Sequence, residues 1–175
     1  QKQLFYKYGT TLRGLMTEHA IKPDEFLDAV HAIDHSPVPR NAALDAALHK
    51  LPGRKLIFTN GTVAHAERVL ARIGITHHFG DIFDIVHSDY IPKPEMAPYR
   101  KFVSATGINP KSSAMFEDIA RNLEAPHALG MTTVLVVSPD NHDAEHLNAA
   151  TGGTALPHIN HVTGDLAAFL AGLGR

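Results

Sequence analysis

The sequence predicts an α/β fold built on a parallel sheet, with a helical segment in front of it. Three observations predict it. Lys55-Leu56-Ile57-Phe58-Thr59-Asn60-Gly61 is a short apolar run that stops at a hydroxyl, an amide and a glycine, the pattern of a buried strand. Val63 to Ile73 follows with helical spacing, and Gly74 stands where a C-cap belongs. From residue 52 onward strand and helix patterns alternate, which means parallel strands joined by crossover helices. Thr59 and Asn60 therefore lie where a strand hands over to a helix. Ligands bind at the carboxyl ends of such strands, and the N–H groups opening the next helix suit an anion. Taken alone, the same residues also make an ordinary strand-to-helix corner.

Composition narrows the function classes. The chain has 175 residues, enough for one medium domain, or a core with a small appendage. Apolar residues make up 44%, a globular value. The formal net charge of −2 gives no basic surface for a nucleic-acid polymer or a membrane. There are no cysteines, which excludes disulfides and thiolate metal sites and points to the cytoplasm. No run reaches the ~18–20 apolar residues of a membrane span, and no signal peptide is visible.

Residues 1–50 read as helical throughout. Gln1 to Tyr8 is aromatic-rich and ends at Gly9. Thr10 or Thr11 caps a helix to about Ala20, with Leu12, Leu15 and Met16 on one face. Pro23-Asp24-Glu25 opens another, with proline in the first turn and carboxylates at the positive end of the dipole. Phe26, Leu27, Val30 and Ile33 form its apolar stripe. Ser36-Pro37-Val38-Pro39 is a stiff connector, and Asn41 to Leu51 is a helix leading into the first strand.

The second strand is expected at Asp84-Ile85-Val86-His87. Lys93-Pro94-Glu95 opens a helix through Phe102 and Val103 that Gly107 closes. Ser113 to Phe116 is a strand ending at Glu117-Asp118. Ala120 to Leu129 is a helix that Pro126 should bend, with Gly130 just beyond it. Thr132 to Val137 is a β-branched strand. Residues 138–157 read as an irregular polar loop. Ile159 to Val162 is a last strand, and Asp165 to Leu173 a terminal amphipathic helix.

Three strand ends carry polar groups: Thr59-Asn60, Lys93, and Glu117-Asp118. At carboxyl ends of parallel strands these can converge on one pocket. Two adjacent carboxylates repel unless a cation lies between them or one keeps its proton. Hard oxygen ligands suit Mg²⁺, which favours one or two carboxylates with water and phosphate oxygens. A lysine and backbone N–H donors suit the remaining phosphate charge. The chemistry indicated is Mg²⁺-assisted work on a phosphate ester. Each signal has an ordinary twin: Lys93-Pro94 as a solvated helix start, and Glu117-Asp118 as simple N-capping.

The ordered series Phe58-Thr59-Asn60-Gly61, Lys93-Pro94, and Phe116-Glu117-Asp118 with Asn122 resembles motifs II, III and IV of the haloacid-dehalogenase (HAD) superfamily of phosphohydrolases. Gly130-Met131-Thr132-Thr133-Val134 matches the usual core strand after motif IV. Phe5 to Leu15, and Ile33-Asp34-His35-Ser36-Pro37, are similar to the helical cap of the pyrimidine 5'-nucleotidase branch. The resemblance implies a Rossmannoid three-layer core over residues 51–175 and a small helical cap over residues 1–50. It implies that Thr59 bonds the transferring phosphoryl oxygen, with Asn60, its backbone N–H and Gly61 close by. Lys93 would pair with the nucleophile carboxylate and the phosphate. Asp118 would ligate Mg²⁺, with Glu117 assisting directly or through water. Tyr8 to Arg13 would face the nucleoside, and Arg121 and Asn122 would orient the metal loop.

One part of the family's pattern is missing. Motif I is a strand followed by Asp-x-Asp-x-Thr; its first Asp is the nucleophile and its second the general acid/base. Asp34-His35-Ser36 lacks the second carboxylate. Asp81-Ile82-Phe83-Asp84 and Asp140-Asn141-His142-Asp143 have the wrong spacing. The motif I strand lies between the motif II and motif IV strands in this fold, and its loss would bare two internal edges. The expectation is that the native protein carries about 25 to 40 further N-terminal residues, and that strands 55–59 and 113–117 are not direct neighbours.

His142-Asp143-Ala144-Glu145-His146 fits the H-x-x-E-H pattern of inverted zinc proteases. Pro139 before it and Gly152-Gly153 after it leave at best a short helix, and no third ligand stands out. The thirteen histidines otherwise scatter, and read as surface or helix-face residues, with His35 near the cap hinge the one to follow. Ser112-Ser113 reads as loop.

The function expected is Mg²⁺-dependent hydrolysis of a phosphomonoester through an aspartyl-phosphate, on pyrimidine nucleoside 5'-monophosphates. The partner is a small phosphorylated metabolite, a nucleotide, bound by a monomer or weak homodimer. The alternatives are another small phosphate such as a sugar phosphate or phosphoglycolate, dehalogenation, and an inactive phosphate-binding module. Dehalogenating relatives lack the metal, and Glu117-Asp118 argues against them.

Overall fold

The computed structural model describes residues 4, 8, 11–23, 26–27, 33–138 and 156–173. The chain forms two compact units, Gln1–Lys93 and Pro94–Leu173.

The first unit begins with helix α1 (Thr11–His19). Leu12 on α1 joins Leu27 and Ile85 in a buried apolar cluster, with Met16, Phe26 and Tyr90 packed against it. Helix α2 (Ala42–Lys50) starts where Asn41 Oδ1 accepts the Leu44 N–H at 2.9 Å, the local bond that makes asparagine a good N-cap. Strand β1 (Leu56–Phe58) leads into helix α3 (Val63–Ile73). The cap of α3 is Thr62, whose hydroxyl accepts the His65 N–H, and Gly74 ends it with φ 89°. A side chain at Gly74 would be strained there, since the left-handed region penalises any Cβ. It would also meet the Arg40 guanidinium at 2.8 Å.

A single 3₁₀ turn (Thr76–His78) leads to strand β2 (Asp81–Phe83), which pairs in parallel with β1, Leu56 opposite Asp81 and Phe58 opposite Phe83. The second strand is thus Asp81–Phe83 rather than the 84–87 segment expected from its β-branched residues. The reason is Asp84. Its buried carboxylate accepts the His87 N–H at 2.9 Å, and its carbonyl accepts the Ser88 N–H at 3.1 Å. These bonds curl the chain into turns, since aspartate side chains satisfy nearby backbone donors in place of a ladder. Ile85 is buried not as a strand residue but as part of the cluster with Leu12 and Leu27.

In the second unit, helix α4 (Met96–Thr106) is closed by Gly107 at φ 65°. Strand β3 (Ala114–Glu117) follows. Ala120–Leu123 is 3₁₀ and runs into helix α5 (Glu124–Ala128). The expected single helix over 120–129 is therefore two short pieces. Pro126 falls in the first turn of α5, where the missing N–H costs nothing. Strand β4 (Thr132–Val136), strand β5 (His161–Thr163) and helix α6 (Leu166–Leu173) complete the unit. The order is β3-β4-β5, all parallel. Tyr99, Leu123, Thr133 and Val134 are fully buried. Thr133 is tolerated there because its N–H donates to Asn160 Oδ1 at 2.9 Å and its hydroxyl to the His158 carbonyl at 2.8 Å.

Among the described residues β1 pairs only with β2 and β3 only with β4. No described helix is long and apolar enough to cross a membrane. The His142–His146 motif and most of the expected loop at 138–157 lie outside the described residues.

Candidate active site

In the first unit the polar groups gather at the carboxyl end of β1. The Thr59 N–H extends the ladder to the Phe83 carbonyl at 3.0 Å. Thr59 Oγ1 then accepts the Gly61 N–H at 2.9 Å. A hydroxyl has one donor and two acceptor positions, so this turn leaves its hydrogen available to a ligand. The Gly61 carbonyl in turn accepts the Ile85 N–H at 3.1 Å, which ties the loop after β1 to the loop after β2.

Asn60 and Lys93, 33 residues apart, form a reciprocal pair. The Lys93 N–H donates to Asn60 Oδ1 at 2.8 Å, and Asn60 Nδ2 approaches the Lys93 carbonyl at 3.4 Å. The amide side chain thus imitates one rung of a ladder and fixes the backbone of Lys93. The Lys93 side chain is buried, with Nζ donating to the Phe58 carbonyl at 3.0 Å and lying 5.2 Å from the Phe58 ring centroid. A strand-end carbonyl and a ring face both favour a cation. The ammonium therefore sits at the end of β1, beside the Thr59 turn. Asn60 holds Lys93 with its side chain, a positioning role that sequence reasoning missed.

Asp84 supports the same corner. Only 4% of it is exposed. Its Oδ2 accepts the Val63 N–H at 3.0 Å, and its Oδ1 accepts the His87 N–H and the His87 Nδ1 at 2.6 Å. Burial pushes its carboxyl up, but the bonds from His87 and Val63 outweigh burial and hold it below the usual carboxylate range. An anion at the first N–H of α3 also suits the helix dipole. The loop between Asp84 and Lys93 contains two consecutive non-glycine residues with positive φ, Asp89 at 53° and Tyr90 at 59°. Such residues cost of order 1–3 kcal/mol each and persist where surrounding bonds hold them. Here the Tyr90 N–H donates to the Ile85 carbonyl at 2.9 Å.

In the second unit Glu117 ends β3 with its side chain buried, and Glu117 Oε2 accepts the Asp118 N–H at 3.2 Å. Asp118 is exposed. This donor set, two adjacent carboxylates of which one faces water, fits a hard divalent cation. Asn122 is buried, and its carbonyl accepts the Tyr99 hydroxyl at 2.6 Å. Burial, with the Glu117 charge adding to it, pushes the Tyr99 phenol far up. Arg121 lies in the 3₁₀ segment beside it.

Of the residues expected to face the nucleoside, Tyr8 donates its hydroxyl to Glu18 Oε1 at 2.9 Å, and Arg13 lies on α1, half-buried. His35 contacts His65, Nε2 to Nδ1 at 3.2 Å, and its carbonyl accepts from Arg72 Nε. Burial, then the charges of His35 and Arg68, hold the His65 imidazole below its usual range. Ser112 and Ser113 both donate to the Asn109 carbonyl, as loop residues do.

The fold and its polar strand ends are those of an open parallel α/β protein with ligand groups at strand ends, and comparison with known proteins assigns the family. A sequence model described as haloacid dehalogenase-like hydrolase matches residues 3–130, and the chain belongs to that family. It is similar to a HAD family hydrolase from Deinococcus radiodurans solved with bound phosphate and sodium. That likeness has a TM-score of 0.61 and 21% identity, over 96% of this chain and 77% of that one. It is also similar to the L-2-haloacid dehalogenase of Xanthobacter autotrophicus, at TM-score 0.55 and 16% identity over 75% of this chain. A third likeness is to CbbY of Rhodobacter sphaeroides in complex with phosphate, at TM-score 0.53 and 19% identity over 76% of this chain. The match spans 58% of the Xanthobacter enzyme and 54% of CbbY.

Proposed function

We propose that this protein is a Mg²⁺-dependent phosphomonoester hydrolase acting on pyrimidine nucleoside 5'-monophosphates through an aspartyl-phosphate. The observation that carries the reading is the Asn60–Lys93 pair, which places a buried ammonium at the end of β1 next to the Thr59 hydroxyl. Lys93 counters the charge of the phosphoryl group, and the Thr59 hydroxyl and the backbone at Asn60 and Gly61 donate to its oxygens. Glu117 and Asp118 would hold Mg²⁺, which would supply charge neutralisation to a phosphate ester. Tyr8 and Arg13, in a cap formed by residues 1–50, face the nucleoside. The aspartyl-phosphate requires the family's motif I aspartate, a residue that no Asp-x-Asp-x-Thr run of this sequence supplies.

Phosphate in two of the similar structures supports a phosphate site. Dehalogenases also stand among the similar structures, so dehalogenation is the second reading. The adjacent acids Glu117 and Asp118 favour the phosphatase, because dehalogenation by nucleophilic displacement has no use for a metal. The test is release of phosphate by the full-length gene product from nucleoside 5'-monophosphates, sugar phosphates and phosphoglycolate, with Mg²⁺ and after chelation. Mg²⁺-dependent release, fastest from pyrimidine nucleotides, is expected. Release that survives chelation, or chloride release from a 2-chloro acid, overturns the reading.

A further inference from the structure

A second group of metal-ligating side chains lies in the first unit, outside the β1 corner. Asp45 projects from α2, and His77 and His78 end the 3₁₀ turn that follows α3. Asp45 Oδ1 lies 2.7 Å from His78 Nε2 and 3.1 Å from His77 Nε2. One ligand atom from each of the three residues falls within 4.8 Å of the others. The two imidazole rings are 4.1 Å apart between centroids. Their spacing and their shared oxygen bring two nitrogens and one carboxylate oxygen to a single point.

From this geometry we infer that Asp45, His77 and His78 form a binding site for a borderline divalent cation of the Zn²⁺ type. Two imidazoles and a carboxylate are a set such ions accept, and Mg²⁺ disfavours nitrogen. Zinc with ligands at about 2.0–2.1 Å spaces them about 3.3 Å apart in a tetrahedron. The oxygen–nitrogen edges of 2.7 and 3.1 Å need only a small expansion to admit it. The His78 side chain is 7% exposed and forms a fixed wall, whereas His77 is 64% exposed and leaves the outer side open to water. His49 lies one turn along α2 from Asp45, with its ring 6.5 Å from that of His78, and is not one of the three clustered ligands.

Such an ion would brace α2 against the turn after α3. One strut is already present, since the Asn41 N–H donates to the Ile73 carbonyl at 2.9 Å. The site shares no residue with the Mg²⁺ assignment and stands or falls independently of it.

The test is zinc titration of the chelator-stripped full chain against a chromophoric competitor, using zinc alone as the probe. One saturable site is expected. His77→Ala, at an exposed position, should weaken it at least tenfold while circular dichroism stays native, and Asp45→Asn should do the same. A His142→Ala/His146→Ala double variant should bind as the parent does. Undiminished zinc binding in His77→Ala, loss only in the double variant, or no saturable binding at all would each overturn the site and leave a hydrogen-bonded surface cluster.

Discussion

Replacing Asn60 by alanine tests how the ammonium is held. The substitution removes the 2.8 Å bond from the Lys93 N–H and the weaker 3.4 Å contact to its carbonyl. A neutral hydrogen bond contributes about 0.5–1.5 kcal/mol net, and a buried donor left without a partner costs about 1–3 kcal/mol. Lys93 is buried, so the expected loss is about 2 kcal/mol, or about 4–8 °C in Tm for a chain of this length. Activity should fall further than stability. A shift of about 1 Å in a charge-stabilising group can cost about a hundredfold in rate, so kcat/KM of the full-length protein should drop by about that factor. Asn60→Asp keeps the acceptor and loses the donor, so it should unfold between parent and alanine variant. The assays are thermal unfolding by circular dichroism and steady-state kinetics. An Asn60→Ala protein within about 0.5 kcal/mol of the parent, the usual scatter for surface changes, and within threefold in kcat/KM would refute the reasoning.

Three further outcomes follow from the same structure. Asp84→Asn should lose about 2–3 kcal/mol at pH 7, since bonds to charged acceptors contribute about 1.5–3 kcal/mol. The folded carboxyl lies below its unfolded range, so its stabilisation is present above about pH 4 and lost as pH falls through the folded value. Urea midpoints of parent and variant should therefore converge on acidification, and a gap that widens instead contradicts the role given to Asp84. Tyr99→Phe should cost about 1–2 kcal/mol in urea unfolding, because it deletes the hydroxyl bonded to the Asn122 carbonyl; an unchanged midpoint contradicts it. Gly74→Ala should cost about 1–2 kcal/mol through its positive φ, read as a lower Tm, and a stabilised variant would show that the helix end relaxes.

The features legible in the sequence were those set by local chemistry. The helix from Val63 to Ile73 appears with the bounds its spacing gives, because Thr62 caps it and Gly74 alone suits the left-handed turn. The strands ending at Phe58 and Glu117, and the β-branched strand from Thr132, likewise followed from short apolar runs. Asp84 was misread because Ile85 and Val86 have strand composition, while the fold of that segment is decided by a carboxylate bonding Val63, 21 residues earlier. The Asn60–Lys93 pair was illegible for the same reason, since each residue looked complete on its own. His77 and His78 were read with the other histidines as surface or helix-face residues, and only the placement of α2 against the turn after α3 brings them to Asp45.

The central claim is that the Lys93 ammonium at the end of β1 neutralises a phosphoryl group. The most direct test is kcat/KM of full-length Lys93→Met, a change that keeps the volume and removes the charge. A loss of about a hundredfold to a thousandfold is expected, since one oxyanion donor is worth about 10²–10³, with the fold intact by circular dichroism. A folded variant retaining more than about a tenth of the parent's phosphate release would contradict the account.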